Sequence, residues 1–174
     1  MDLRIAITDD LNSEREKLSS AIIAPFSKVG LNVGNIDEYT SGEELLRQFS
    51  AGRYDLIFLD IYMGGMSGVE TAKRIRTLDK NVMLVFVTTS NEFASESYAV
   101  KANFYLLKPV RAESIRQLAE TVAQQLKNTG SAAALPDGTV IPLSSLVYTS
   151  CSGHYVYVFL VGNEPLKIRT THKI

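Results

Sequence analysis

Asp55-Leu56-Ile57-Phe58-Leu59-Asp60-Ile61-Tyr62-Met63 runs four apolar residues straight into a carboxylate. A short continuous apolar run suits a central strand covered on both faces, as in a parallel sheet. Ligand sites in open parallel α/β sheets lie just beyond the carboxyl ends of the strands. Asp60 would stand at that end. Gly64, Gly65 and Gly68 follow it, so the chain can turn sharply and bring backbone close to a bound group.

Working outward, the same strand character recurs at Arg4–Thr8, Val33–Tyr39, Val82–Val87 and Phe104–Leu107. Helical spacing separates these runs. Leu18, Ala21, Ile22, Phe26 and Val29 form one stripe, opened by Ser13 and Glu16 as a capping box, with Pro25 expected to kink or shorten the helix. Ser41 and Glu44 form a second capping box ahead of Leu45, Leu46 and Phe49. Val69, Ala72, Ile75 and Leu78 should face inward from a third helix, and a short helix is expected around Phe93–Val100. Ile115, Leu118, Ala119, Val122 and Leu126 give the cleanest period in the chain. Strict strand-helix alternation predicts an α/β fold, a doubly wound five-stranded parallel sheet with helices on both faces. Right-handed crossovers then place all the strand carboxyl ends on one edge.

That edge collects Asp9, Asp10, Asp60, Thr88 and Lys108, which close four different strands. Singly, each has an ordinary use: an aspartate caps a helix or sits in a turn, and Lys108-Pro109 makes a turn. Together they converge on one place. Two carboxylates about 5 Å apart, at an effective dielectric near 20, repel by about 3 kcal/mol. Three such groups call for a counter-ion, and all-oxygen ligation favours Mg²⁺. Lys108 adds a mobile cation and Thr88 a hydroxyl donor. A carboxylate nucleophile, a divalent metal, a lysine and a hydroxyl are what phosphoryl transfer requires. Asp60 is the expected acceptor.

Composition narrows the classes. The 174 residues suffice for one domain and a fragment of a second. A net charge of −1 offers no global attraction to nucleic acid or membrane. Cys151 is the sole cysteine, so no intrachain disulfide can form. No apolar run is long enough to span a bilayer, and no signal-peptide layout precedes the first strand. A cytoplasmic location with no membrane partner is expected. His154 and His172 lie outside the α/β region, with no cysteine or aspartate cluster beside them, and read as surface or packing residues.

Asp9-Asp10, Asp60, Thr88 and Lys108-Pro109, with Tyr105 ahead of the lysine, resemble the receiver domain of two-component response regulators, a flavodoxin-like fold. The likeness covers residues 1–127. It implies Asp60 as phosphoacceptor, with Mg²⁺ held by Asp10 directly, by Asp9 mainly through water, and by Asp60 and the Tyr62 backbone carbonyl. It further implies that Lys108 pairs with the phosphoryl group and that Thr88 swings in to hydrogen-bond it. Tyr105 would follow Thr88 by changing rotamer, altering the surface around the Phe93–Val100 helix and the Phe104–Leu107 strand. Lys108-Pro109 would be cis. Gly64 replaces a frequent proline and Thr89 a frequent smaller residue; both are expected to alter phosphorylation and dephosphorylation rates. The α/β region holds no histidine and no P-loop, so the phosphoryl group should come from a sensor histidine kinase or a small acyl phosphate. Apart from Mg²⁺-dependent self-phosphorylation and autodephosphorylation of Asp60, no enzyme activity is expected. An aspartyl-phosphate hydrolase commonly wants a second acid two residues after the nucleophile, where this chain has Tyr62. A phosphate-independent interaction module is the other alternative.

Residues 128–135 read as a linker. Beyond it, 136–174 form a short β-rich segment: a turn at Pro136-Asp137-Gly138, strands at Val140–Ile141, Leu146–Cys151, Tyr155–Val161 and Leu166–Arg169, and a tight turn at Gly162-Asn163. Gly153-His154-Tyr155-Val156 and Leu166-Lys167-Ile168-Arg169-Thr170-Thr171 resemble the opening half of a LytTR-type DNA-binding domain. This implies transcription regulation as output and a homodimer formed on phosphorylation. Lys167, Arg169 and Lys173 against Asp137 and Glu164 leave only +1, too little to neutralise several phosphates. DNA binding is therefore expected from a complete output domain, and weakly or not at all from this chain.

Overall fold

A computed structural model describes residues 2–90, 92–93, 100–130, 132–135, 139–142, 145–161 and 164–169. The chain divides into two compact units, residues 1–121 and 122–174.

The first unit is built on a five-stranded sheet of order β2-β1-β3-β4-β5, with every neighbouring pair parallel. The strands are β1 (Asp2–Thr8), β2 (Asn32–Tyr39), β3 (Leu56–Leu59), β4 (Met83–Thr88) and β5 (Phe104–Leu107). Every residue of β3 and β4 is buried, which is why both read as unbroken apolar runs. Ala6, Ile57, Leu59, Leu84 and Phe86 form one core with Leu45, Val69, Ala72 and Ile75 from the helices.

Helix α1 (Asn12–Lys28) begins before the expected capping box. Leu11 is the N-cap, no side chain caps it, and Ser13 lies inside the helix. The reason is local: Asp9 Oδ1 accepts the Leu11 N–H at 2.9 Å, and the Leu11 carbonyl already accepts Glu14 and Arg15 N–H. Pro25 sits near the carboxyl end and does not stop the helix, which continues to Lys28. Helix α2 (Gly42–Gln48) is capped by Ser41 Oγ on the Glu44 N–H, but Glu44 reaches back to Thr40 rather than to Ser41. Helix α3 (Gly68–Leu78) is capped by Ser67. Leu78 was expected inward and is 56% exposed. Each three-residue step falls about 60° short of a full turn, so by Leu78 the series has rotated off the buried face.

Helix α4 (Ala112–Gly130) buries Ile115, Leu118, Ala119 and Val122 and continues past residue 127. The stretch expected as a linker carries regular structure: the end of α4, then β6 (Ala132–Ala134). Of the short helix expected at Phe93–Val100, residues 94–99 lie outside the described residues. So do the turns at 136–138 and 162–163, and Thr170, Thr171, His172 and Lys173.

In the second unit β6 pairs antiparallel with β7 (Val140–Pro142). The strands β8 (Leu146–Ser152), β9 (Tyr155–Leu160) and β10 (Leu166–Arg169) form an antiparallel sheet of order β10-β9-β8. Gly153, at φ 58°, opens the two-residue turn between β8 and β9, the position where a mirror-type hairpin turn wants glycine. Ile141, Val158 and Ile168 make a small core. Among the described residues no helix is long and apolar enough to cross a membrane.

Candidate functional site

The carboxyl edge of the sheet gathers most of the residues expected there. Asp60 follows β3 and donates its N–H to the Thr8 carbonyl at 2.8 Å, which locks the two acidic strand ends side by side. Asp9 follows β1 and donates its N–H to Tyr39. One carboxylate oxygen from each of Asp9, Asp10 and Asp60 lies within 4.8 Å of the others. Asp9 and Asp60 are buried, at 5% and 6% exposure; Asp10 is exposed. Lys108 Nζ donates to Asp9 Oδ2 at 2.6 Å and to Asp60 Oδ2 at 2.9 Å. The Lys108-Pro109 peptide is cis, and the Lys108 N–H donates to the Thr88 carbonyl.

Burial pushes the Asp60 carboxyl above its ordinary range, and the neighbouring Asp9 charge adds to this against the pull of Lys108. Burial alone would lower Lys108, but hydrogen bonds and attraction from Asp9 and Asp60 outweigh it, so the ammonium is held charged. Three carboxylates facing one ammonium leave a net negative site. Its donors are hard oxygens on a small perimeter, and this chemistry fits a divalent cation such as Mg²⁺.

The cluster opens into a cleft of about 720 Å³ lined by Asp9, Asp10, Asp60, Tyr62, Thr89 and Lys108, with Leu11, Leu18 and Val110 as an apolar wall. Thr88 itself is fully buried, and its Oγ1 has no hydrogen-bond partner. The expected hydroxyl is thus adjacent to the site but outside its lining, and Thr89 is the threonine that faces the cleft. Tyr62 donates its N–H to Asp60 Oδ1 at 3.3 Å, and its hydroxyl donates to Glu92 at 2.8 Å. Tyr105 packs edge-on to Phe86, and its hydroxyl donates to the Ser90 carbonyl.

Two supporting residues, Arg15 and Glu43, were not singled out from sequence, and Gly68 was read there only as a turn glycine. Arg15 is buried on the α1 stripe beside Leu18 and Ile22. It donates to the Asp9 carbonyl at 2.7 Å, and also to Asn12 and Glu38. A charge at an apolar stripe position was the available signal. Gly68 lets α3 approach the nucleophile: a Cβ there would lie 2.1 Å from the Asp60 carbonyl oxygen. Glu43, on α2, accepts the Met66 N–H at 2.9 Å; nothing in its sequence surroundings marks it.

With this geometry in view, the comparisons with known proteins agree. The response regulator receiver domain model matches residues 5–120. The chain belongs to that family. Sensory transduction protein LytR of Staphylococcus haemolyticus is 35% identical over 100 residues, 58% of this chain and 38% of that protein. Sensory transduction protein LytT of Oceanobacillus iheyensis is 24% identical over 191 residues, 99% of this chain and 73% of that protein. The tail therefore has a counterpart in a LytT relative, and the chain spans only part of each. Among solved structures, the receiver domain of AraT, a response regulator from Geobacillus stearothermophilus, superposes with a TM-score of 0.61 at 28% identity. That match covers 73% of this chain and 97% of the solved receiver domain. Response regulator TrrA of Thermotoga maritima, solved with Mg²⁺-BeF, gives 0.57 at 31% identity, covering 69% of this chain and 98% of its own.

Proposed function

We propose that this chain is the receiver and the start of the output region of a two-component response regulator, with Asp60 as phosphoacceptor. The carrying observation is the Lys108 ammonium spanning Asp9 and Asp60 within a three-carboxylate cluster at one sheet edge. An Asp60 carboxylate oxygen attacks phosphorus and forms an acyl phosphate. The P–N bond to a sensor kinase's phosphohistidine breaks, and the imidazole leaves with its electron pair and takes up a proton. With a small acyl phosphate the bond that breaks is P–O. Asp9, Asp10, Asp60 and the Tyr62 carbonyl would hold Mg²⁺, which supplies charge neutralisation at the transferring group.

Lys108 pairs with the phosphoryl oxygens once Asp60 is esterified, and Thr88 hydrogen-bonds them after turning from its buried position. Tyr105 follows by changing rotamer. Water slowly hydrolyses the acyl phosphate in the same site. The readout is transcription: LytTR-type DNA contacts by a complete output domain, with homodimer contacts set by the state of Asp60. We assign residues 1–127 to the receiver and 136–174 to the output segment, joined by 128–135.

Intact mass after incubation with acetyl phosphate and Mg²⁺ tests this. One added phosphoryl group, absent with EDTA and in Asp60→Asn, is the expected result. No gain in folded, Mg²⁺-binding protein would favour a phosphate-independent interaction module.

A further inference from the structure

The loop between β3 and α3 carries Tyr62 and borders the carboxylate cluster, and no proline stiffens it. It is held by two carboxylates at different points along it. Asp10 Oδ2 accepts the Gly64 N–H at 3.3 Å, while Glu43 Oε1 accepts the Met66 N–H at 2.9 Å. The loop is shaped to meet Glu43. Gly65 has φ 101°, where other residues are strained, and a Cβ there would lie 3.0 Å from Glu43 Oε1. The far end of the loop is closed by Gly68 N–H on the Ile61 carbonyl. Glu43 itself is oriented by the start of α2, which Ser41 caps; Gly42 packs so tightly that a Cβ would meet Thr71 of α3. Helices α2 and α3 thus present the Glu43 carboxylate to the loop as a fixed acceptor.

The two anchors differ in availability. Asp10 belongs to the cluster proposed to bind Mg²⁺, and a carboxylate oxygen engaged by a cation is a weaker acceptor for Gly64. Glu43 lies outside the cluster. We infer that Glu43 is a positioning residue: it holds the Gly64–Met66 loop so that the Tyr62 carbonyl and Asp60 keep their places when Asp10 is drawn to the cation. This rests on the metal-site reading above. Groups hydrogen-bonded directly to metal ligands contribute about 10- to 100-fold to metal affinity. Glu43 acts through the loop, one step further out, so an effect at the low end of that range is expected.

The test is calorimetric titration of the whole chain with Mg²⁺ alone, beside amide hydrogen exchange at Met66. Glu43→Ala is expected to weaken Mg²⁺ binding about tenfold and to expose the Met66 amide to exchange. Glu43→Gln keeps an acceptor oxygen and is expected to stay within about twofold of wild type, since its hydrogen bond survives. A purely structural role would lower the urea midpoint and leave Mg²⁺ affinity unchanged. Equal affinity in folded Glu43→Ala overturns the inference. So does a wild-type Met66 amide exchanging at a free-peptide rate, a measurement that needs no variant. Wild type that binds no Mg²⁺, like the Asp10→Asn control, would bring down the metal-site reading and this inference with it.

Discussion

Strands β4 and β8 are of similar length and opposite character. All six residues of β4 are buried, whereas β8 has one half-buried residue followed by six exposed ones. Strands β3 and β4 are shielded on both faces, so they are almost wholly apolar and their side chains cannot be exchanged cheaply, whereas the edge strand β2 is largely exposed or half-buried. Among its described residues the second unit has a core of only Ile141, Val158 and Ile168, with half-buried apolar residues packed against it. The difference teaches where function can be held rigidly. Asp9 and Asp60 are held in place because β1 and β3, which end in them, are interior strands packed in the core. Lys108, at the end of the edge strand β5, is tied to β4 by its N–H on the Thr88 carbonyl.

The largest expected effect lies in that core. Ile57→Ala removes a side chain with 0% exposure and should cost about 2–5 kcal/mol by urea unfolding. Val147→Ala in β8, where the residue is 57% exposed, should stay within about 0.5 kcal/mol. Equal costs would break the comparison. Lys108→Met strands two buried carboxylates, and without metal the expected loss is about 3 kcal/mol. Part of it should return on adding Mg²⁺. Loss that Mg²⁺ does not touch would detach the lysine from the cluster's electrostatics.

Asp79 sharpens the contrast through pH. Burial would raise its carboxyl, but hydrogen bonds from the Gly52, Asn81 and Val82 N–H groups outweigh this and hold it below 3.8. A depressed folded-state value stabilises above the ordinary pKa, and that stability is lost as pH falls through the folded one. Asp79→Asn should therefore flatten the dependence of stability on pH below about 4, measured by urea midpoints across that range. The smallest effect separates two serines. Ser67 caps α3 and Ser67→Ala should cost about 1 kcal/mol; Ser13 caps nothing, and Ser13→Ala should be close to neutral.

Legibility followed the same division. Ile57, Phe58, Val85 and Phe86 announce themselves because two-sided burial leaves no polar residues to confuse the pattern. Asp9, Asp10, Asp60 and Lys108 were legible as strand-end residues, since alternation alone sends them to one edge. Residues set by tertiary packing were not. Leu78 looks inward by spacing yet is exposed at a helix end, and Ser13 looks like a cap until Asp9 claims the Leu11 amide. Glu43 contacts a loop more than twenty positions away, which no local pattern encodes. In the tail, Gly153 makes a hairpin turn that was not singled out from sequence, because the strands it joins pair across two residues.

The central claim is that Asp60, not its neighbours, takes the phosphoryl group. Reducing the acetyl phosphate-treated protein with borohydride converts an aspartyl phosphate to homoserine, which peptide mass mapping locates. Homoserine at position 60, with Asp9 and Asp10 intact, is the result this account predicts. Homoserine at position 9 or 10, or none in protein that has gained phosphate, would contradict it.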